Sequence, residues 1–367
     1  MSVSLPTGLV PVAEVAGIAA LTGSRSARYR YEILDRYMNL RGPLDGVQGS
    51  SLTESAASSL KRGGNMAVTD RGQDINWLTD RVKVTYEVDG YGEWGCGAYV
   101  PSMPDEAWRD GGRRWDVQML DVATVLAEDR LAATYSLDAG TNIVDAVRTL
   151  ITDGGESAGA ITDSDLTLPT PRAWEAGSTR LEIINDLKDI ANYFALFSDG
   201  DGQLRFEPYV RPAVRPVKWE FIDGETCIYR PDLSRKRDLY AVPNRVIVKG
   251  RGTGDDEGLV AVADNTNPDS DFSITTLGRV KAAEPYEVDA ADQATLDAIA
   301  QRRLIEATTP TSTIVIQALP VPVSTNDAVR FRREPMGIDS RHVVTRIELP
   351  ASPTGLATYT LREVVDV

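Results

Sequence analysis

With 367 residues the chain has room for two to three domains, and 42% apolar residues are enough to fill real cores, which excludes wholesale disorder. Two cysteines, Cys96 and Cys227, exclude a disulfide scaffold, and 54 acidic against 39 basic residues, a formal charge of −15, argue against a broad basic nucleic-acid surface. A single histidine, His342, removes most histidine-based catalysis and metal binding before any motif is sought.

The first 24 residues are mildly apolar (Leu9, Val12, Val15, Ile18), but no Lys or Arg precedes Arg25 and Glu14 interrupts them. They lack the basic start of a secretory signal, so synthesis in the cytoplasm is expected. A β-rich region opens near Ala27 and runs to about Asp121. Val82, Val84, Tyr86 and Val88 alternate with Arg81, Lys83, Thr85 and Glu87, the period of a half-buried strand. The turn Asp89-Gly90-Tyr91-Gly92 leads into a run that puts Trp94, Cys96, Ala98 and Val100 on one face, so the two runs form a hairpin. A third run aligns Trp115, Val117 and Met119. The Gly/Ser-rich segments 49–52 and 63–68 are loops or short strands, and hydrophobicity alone does not decide between them.

Near Leu131 the period changes. Ile143, Val147, Leu150 and Ile151 form a helical stripe, with Thr141 or Asn142 as cap and Gly154-Gly155 as stop. A second helix is predicted over 178–193, capped by Ser178 with Glu182 nearby, and its stripe is Ile184, Leu187, Ala191 and Phe194. Residues 194–206 read as a hairpin around the turn Ser198-Asp199-Gly200-Asp201-Gly202. A Pro-flanked linker, 212–216, follows. Strands resume at 217–222, 227–230 and 244–249, and a helix is expected around 290–307. Further strands are predicted at 313–318, 328–332, 342–349 and 356–365. The charge-free stretch 307–326 is long enough for a membrane helix, but Pro310, Pro320 and Pro322 flank β-branched residues, so it reads as a buried strand and no membrane anchor is expected. The sequence thus predicts an α+β, mainly β chain. A first β domain with an N-terminal arm spans 1–125 and a small α/β domain 126–212. A second β domain covers 213–250 and 309–367, interrupted by an inserted subdomain, 251–308.

Reactive constellations are sparse. His342 alternates with Val343, Thr345, Ile347 and Leu349 and so falls on the polar side of its strand; no G-x-S-x-G element accompanies it, and it reads as a strand-surface histidine. Two cysteines 131 positions apart cannot make a zinc site, and both read as small core residues. Gly250-Arg251-Gly252-Thr253-Gly254 looks like a dinucleotide loop, but Asp255, Asp256 and Glu257 follow instead of a helix start, so it is a strand exit. Those acids, or Asp199 and Asp201, lack the distal bidentate Glu of a calcium loop and read as solvated turns. Trp94, Trp108 and Trp115 would suit a sugar platform, but aromatics on alternating strands are core residues more often than ligands. No catalytic, cofactor-binding or metal-ligating residue is assigned; on chemistry alone the chain reads as a non-enzyme.

The order β region, small α/β unit, second β region with an insertion resembles the tail-hub (baseplate-hub) family of bacteriophages and related injection machines. Local matches to minor tail proteins of long-tailed phages are Leu44-Asp45-Gly46-Val47-Gln48-Gly49-Ser50-Ser51-Leu52, Asp70-Arg71-Gly72-Gln73-Asp74-Ile75-Asn76-Trp77-Leu78 and Arg81-Val82-Lys83-Val84. The pattern continues through Gly92-Glu93-Trp94-Gly95-Cys96-Gly97-Ala98-Tyr99-Val100-Pro101 and Asp116-Val117-Gln118-Met119-Leu120-Asp121. Residues 131–151 resemble the entry to the family's α/β domain, and Phe197-Ser198-Asp199-Gly200-Asp201-Gly202-Gln203-Leu204 its hairpin. The likeness is good over 25–250 and looser beyond. It implies a homotrimer with two β-barrel-like domains per subunit, the Gly/Ser segments being strands of the first. Such a hub joins a hexameric tail tube or distal tail protein to trimeric tip or fibre proteins, and it contacts the tape-measure protein. DNA would pass it without specific binding, in a virion tail tip. A distal tail ring or a carbohydrate-binding adaptor is the alternative, and a cell-wall-degrading tail enzyme the third.

Overall fold

The structure is a computed structural model that describes residues 19–109, 112–237, 242–250, 258–288, 293–308 and 312–364. The N-terminal arm over 1–18 lies outside the described residues, as does 251–257, which includes most of the glycine-rich exit and its three acids. The first β region comprises β1 (Ala27–Leu34), β2 (Leu40–Pro43), β3 (Val47–Ser55), β4 (Arg62–Thr69), β5 (Arg81–Val88), β6 (Gly92–Arg109) and β7 (Gly112–Asp121). The Gly/Ser segments are therefore strands. Gly64 is required there, because a Cβ would sit 2.0 Å from the Ser51 carbonyl oxygen of the paired strand. On β5, Val82, Val84, Tyr86 and Val88 are buried as their alternation dictates, and they pack with Leu52, Met66, Val117 and Met119.

The face expected for β6 needs correction. Trp94 lies opposite Tyr86, but Gly97, not Cys96, lies opposite Val84, so one extra residue bulges here. Parity flips after the bulge. Tyr99 instead of Ala98 turns into the β core, and Ala98 faces the α/β unit.

That unit contains α1 (Thr124–Glu128), β8 (Tyr135–Leu137), α2 (Ile143–Asp153), β9 (Ala160–Ile161), β10 (Arg172–Trp174), α3 (Arg180–Ala191), β11 (Phe197–Ser198) and β12 (Leu204–Phe206). Asn142 caps α2 by accepting from the Asp145 amide. Thr179, not Ser178, caps α3 and forms a reciprocal capping box with Glu182. The spacing decides it: a capping box pairs residues three positions apart, and Ser178 is four from Glu182. Leu150, Ile151, Ile184, Leu187 and Phe206 fill the core of the unit.

Beyond a short 3₁₀ turn at Pro212–Val214 come β13 (Val217–Ile222), β14 (Ser234–Arg237), β15 (Arg245–Gly250), β16 (Val260–Asp264), α4 (Ile274–Leu277), β17 (Tyr286–Val288), α5 (Gln293–Thr308), β18 (Ser312–Ala318), β19 (Ala328–Arg333), β20 (Ile338–Leu349) and β21 (Ala357–Glu363). Two expectations change. Around 227–230 only Tyr229 makes a ladder contact, an isolated bridge to Ala318. The strand predicted at 244–249, β15, does not join the second β region. It pairs with β16 and β17, and their Val246, Val248, Ala261 and Ala263 pack on Leu296, Ala300 and Leu304 of α5.

The two β regions form one 13-stranded sheet. β20 is the tie: its first half pairs with β19, and its last four residues pair with β3, from Arg346 opposite Ser55 to Leu349 opposite Leu52. Opposite β21, Val344 faces Leu361 and Arg346 faces Thr360, so Thr345 is bulged. The bulge brings Val344 and Ile347 to the same core face, and His342 shares the face of Val344. His342 is therefore buried, 0% exposed, edge-on to Phe331, where unbroken alternation had placed it on the surface. No helix among the described residues is long and apolar enough to cross a membrane.

Candidate functional site

A dense polar arrangement lies where the first β region, the α/β unit and the second β region meet. β3 and β4 place Glu54 and Arg62 directly opposite each other. Their side chains are almost fully buried, and Arg62 Nη2 lies 2.8 Å from Glu54 Oε2. The remaining guanidinium donors reach outward, Nη1 to the Cys96 carbonyl of β6 (3.1 Å) and Nε to the Ser198 carbonyl of the hairpin turn (3.2 Å). Glu54 Oε1 accepts from the backbone N–H (2.9 Å) and hydroxyl (2.7 Å) of Thr325, in the loop before β19. Asp121 at the end of β7 accepts from the amides of Arg62 and Ala123. One ion pair thus holds groups from all three regions, with every guanidinium nitrogen and both carboxylate oxygens partnered, the condition under which a buried pair is tolerated. Beside it a cavity of about 120 Å³ is lined by Glu54, Arg62, Trp94, Tyr99 and Val321.

Two further contacts lock the α/β unit down. Arg81 of β5 makes a buried two-pronged pair with Glu156, after α2, with Nη1 2.9 Å from Oε2 and Nη2 on Oε1. The turn between β11 and β12 presses its backbone on the β6 bulge: the Gly97 amide donates to the Gly200 carbonyl at 2.8 Å. Any Cβ on Gly95 would stand 2.2 Å from the Gly200 oxygen, and one on Gly200 2.4 Å from the Gly95 oxygen. Only glycine permits that approach. In the same turn Asp201 stays exposed, as expected, while pairing with Lys83 of β5 at 2.8 Å, and the mostly covered Asp199 pairs with Arg205 at 2.7 Å.

Other singled-out residues scatter. Cys96 is buried in the β core, and burial pushes its thiol up to about 12; Cys227 is half-buried against the second core. Trp94 and Trp115 pack on the first core, whereas Trp108 is 69% exposed near the end of the β6–β7 hairpin, with the Arg113 guanidinium 5.7 Å from its ring centre. Among the described residues no group of three or more His, Cys, Asp or Glu side chains is placed to hold a metal ion. Nothing in the sequence marked Glu54, Arg62 or Thr325. The one available signal is that Glu54 and Arg62 stand symmetrically about the polar turn between their strands.

No protein-family model matches the sequence, and no curated protein does. Solved structures do. The 43 kDa tail protein of prophage MuSo2 from Shewanella oneidensis aligns over 91% of this chain and 98% of its own at 13% identity, with a TM-score of 0.62. A tail protein from Neisseria meningitidis aligns over 91% and 96% at 14% identity and 0.65, and prophage tail protein gp18 from Listeria monocytogenes over 91% and 94% at 13% identity and 0.60. The fold is that of phage tail proteins. The tail-protein fold extends to the E. coli protein c3393, a type VI secretion component described as structurally similar to T4 bacteriophage tail proteins gp27 and gp5, at 9% identity and a TM-score of 0.53 over 93% of this chain and 77% of that one. Within this tail-protein fold, the Glu54–Arg62 joint fixes three separately cored regions relative to one another.

Proposed function

We propose that the chain is a structural hub of a bacteriophage tail tip, a homotrimer that joins the hexameric tail tube or distal ring to trimeric tip or fibre proteins. In this reading it contacts the tape-measure protein and forms part of the channel through which DNA leaves. The observation that carries it is the end-to-end agreement with tail proteins, 91% of this chain against 94 to 98% of theirs, which includes both β regions and the unit between them. The joint supports the same reading, since its donors and acceptors are spent on one another and hold geometry. The division into two hub-type β domains, an α/β domain and an insertion belongs to this proposal. So does the charge: at −15 per copy, the walls of a ring would repel DNA and not grip it.

Masses of tail-tip subcomplexes test it, with three copies expected. Six copies would place the chain in a distal ring. The exposed Trp108 is the observation that favours a carbohydrate-binding adaptor. Glycan-array binding abolished by Trp108→Ala would establish that reading in place of the purely structural one, and clearing of cell-wall material in a zymogram would make the chain an enzyme.

A further inference from the structure

The large sheet has two dissimilar ends. Its strand path begins at β14, which pairs with β18, and finishes at β2, which pairs with β1. Both end strands are four residues long and antiparallel to their neighbours. Natural proteins blunt such edges with charge, proline or a covering element, because an open row of N–H and C=O groups is a template for another strand. At the β2 end Pro43 closes the strand and Arg41 is tied to Asp74 and Asp80, yet apolar side chains stay exposed beside it. Leu40 on β2 and Tyr37 in the preceding turn are each 63% exposed, and Leu78, in the turn beside the Arg41–Asp74 pair, is 93% exposed. Acids flank this apolar edge, with Arg36 and the ion-paired Arg41 among them. Asp45 is exposed just past β2, Asp74 is 94% exposed, and hydrogen bonds from Asn39 hold the Asp35 carboxyl below its usual range, so it stays ionised. A groove of about 550 Å³ lined by Tyr37, Met38, Leu40, Glu32 and Asp201 runs alongside.

The β14 end carries more basic side chains, although Arg235 pairs with Glu363 at 3.0 Å and Asp232 is exposed just before the strand. Its strand reads Ser234-Arg235-Lys236-Arg237, with Lys236 exposed. Arg230 lies next to it on Gln317, and Arg333 reaches the Pro231 carbonyl. One end offers an apolar edge flanked by acids and the other a more basic edge of the same length.

We propose that β14 of one copy adds to β2 of the next, so that the sheet continues head to tail between copies of this chain. Backbone ladder bonds would supply the join, Lys236 and its neighbours would face the acids around β2, and Leu40, Tyr37 and Leu78 would be covered. Two different surfaces meeting in this way form a heterologous contact, which closes into a ring when the rotation permits. The inference deepens the trimer reading by assigning its interface.

The test uses the full chain with Cys227→Ser, carrying Leu40→Cys together with Lys236→Cys. Oxidation is expected to yield covalent oligomers ending at a trimer, and Val217→Cys in place of Lys236→Cys, on the unrelated edge β13, should yield none. Separately, Lys236→Glu should weaken self-association at least tenfold with an unchanged melting temperature, and adding Asp45→Lys should restore it. Trimers that form without the 40–236 bond and ignore Lys236→Glu overturn the edge pairing and leave the trimer standing. A chain that stays monomeric at millimolar concentration with no bond also overturns the pairing, while copy number in intact tails decides the trimer independently.

Discussion

Lys61 holds its ammonium 3.5 Å from the centre of the Phe197 ring at 7% exposure, and burial pulls its pKa from 10.5 down to about 8. Glu54, Glu207 and Asp121 offset the burial only in part, and Arg62 adds to it. A drop of that size is ~3 kcal/mol against the charged form. The folded chain releases this proton more readily than the unfolded one. The penalty is therefore complete below pH 8 and fades as pH climbs from about 8 toward 10.5, so stability rises across that window. Lys61→Met should raise the melting temperature at pH 7 and flatten the rise between pH 8 and 10. A variant less stable at pH 7 would mean that the cation–ring contact outweighs desolvation. His342 acts at the acid end. Burial lowers its pKa below 6.5, with Nδ1 3.1 Å from the Ser340 carbonyl and Nε2 buried without a partner among the described residues. Protons then favour the unfolded chain, so stability falls as pH drops below about 6.5. His342→Leu should remove that part of the acid loss, read from melts at pH 7 and pH 5. The sequence placed this residue on the wrong face because a bulge at Thr345 carries no composition signal.

At the scale of elements the joint decides how rigidly the regions sit together. Removing one partner of the Glu54–Arg62 pair leaves the other charge buried. Arg62→Ala should cost ~3–5 kcal/mol in urea unfolding, while Glu54→Gln with Arg62→Met should recover most of it. The backbone contact makes an independent prediction. Gly200→Ala must push the β11–β12 turn off β6, and it should cost ~2 kcal/mol or more while raising hydrogen exchange at the Gly97 amide. Unchanged exchange there would mean the turn does not lean on the bulge. These groups were invisible in sequence for a common reason. Helix stripes such as Val147–Ile151 and the alternation of Val82–Val88 repeat within one element, and both were legible. Glu54 with Thr325 and Gly95 with Gly200 meet only through tertiary structure, and a charged or glycine residue in a polar turn looks like surface.

For the whole molecule, the order of regions was readable because each has its own period and its own core. Two features were not. β20 carries one hydrophobic run across two β regions, and the strand pairing that merges them, Leu349 opposite Leu52, spans nearly the full chain. Likewise β15 has the same alternating valines as its neighbours in sequence, and only its packing on α5 assigns it to the smaller sheet. The resulting molecule is a scaffold of cores pinned by buried charge pairs, and among the described residues its main sheet ends at β14 and β2. The most direct test is imaging of intact tails in which this subunit carries a label, together with its copy number. Three copies at the tail tip are predicted. Six copies in a ring above the tip, or none in the particle, would contradict the assignment.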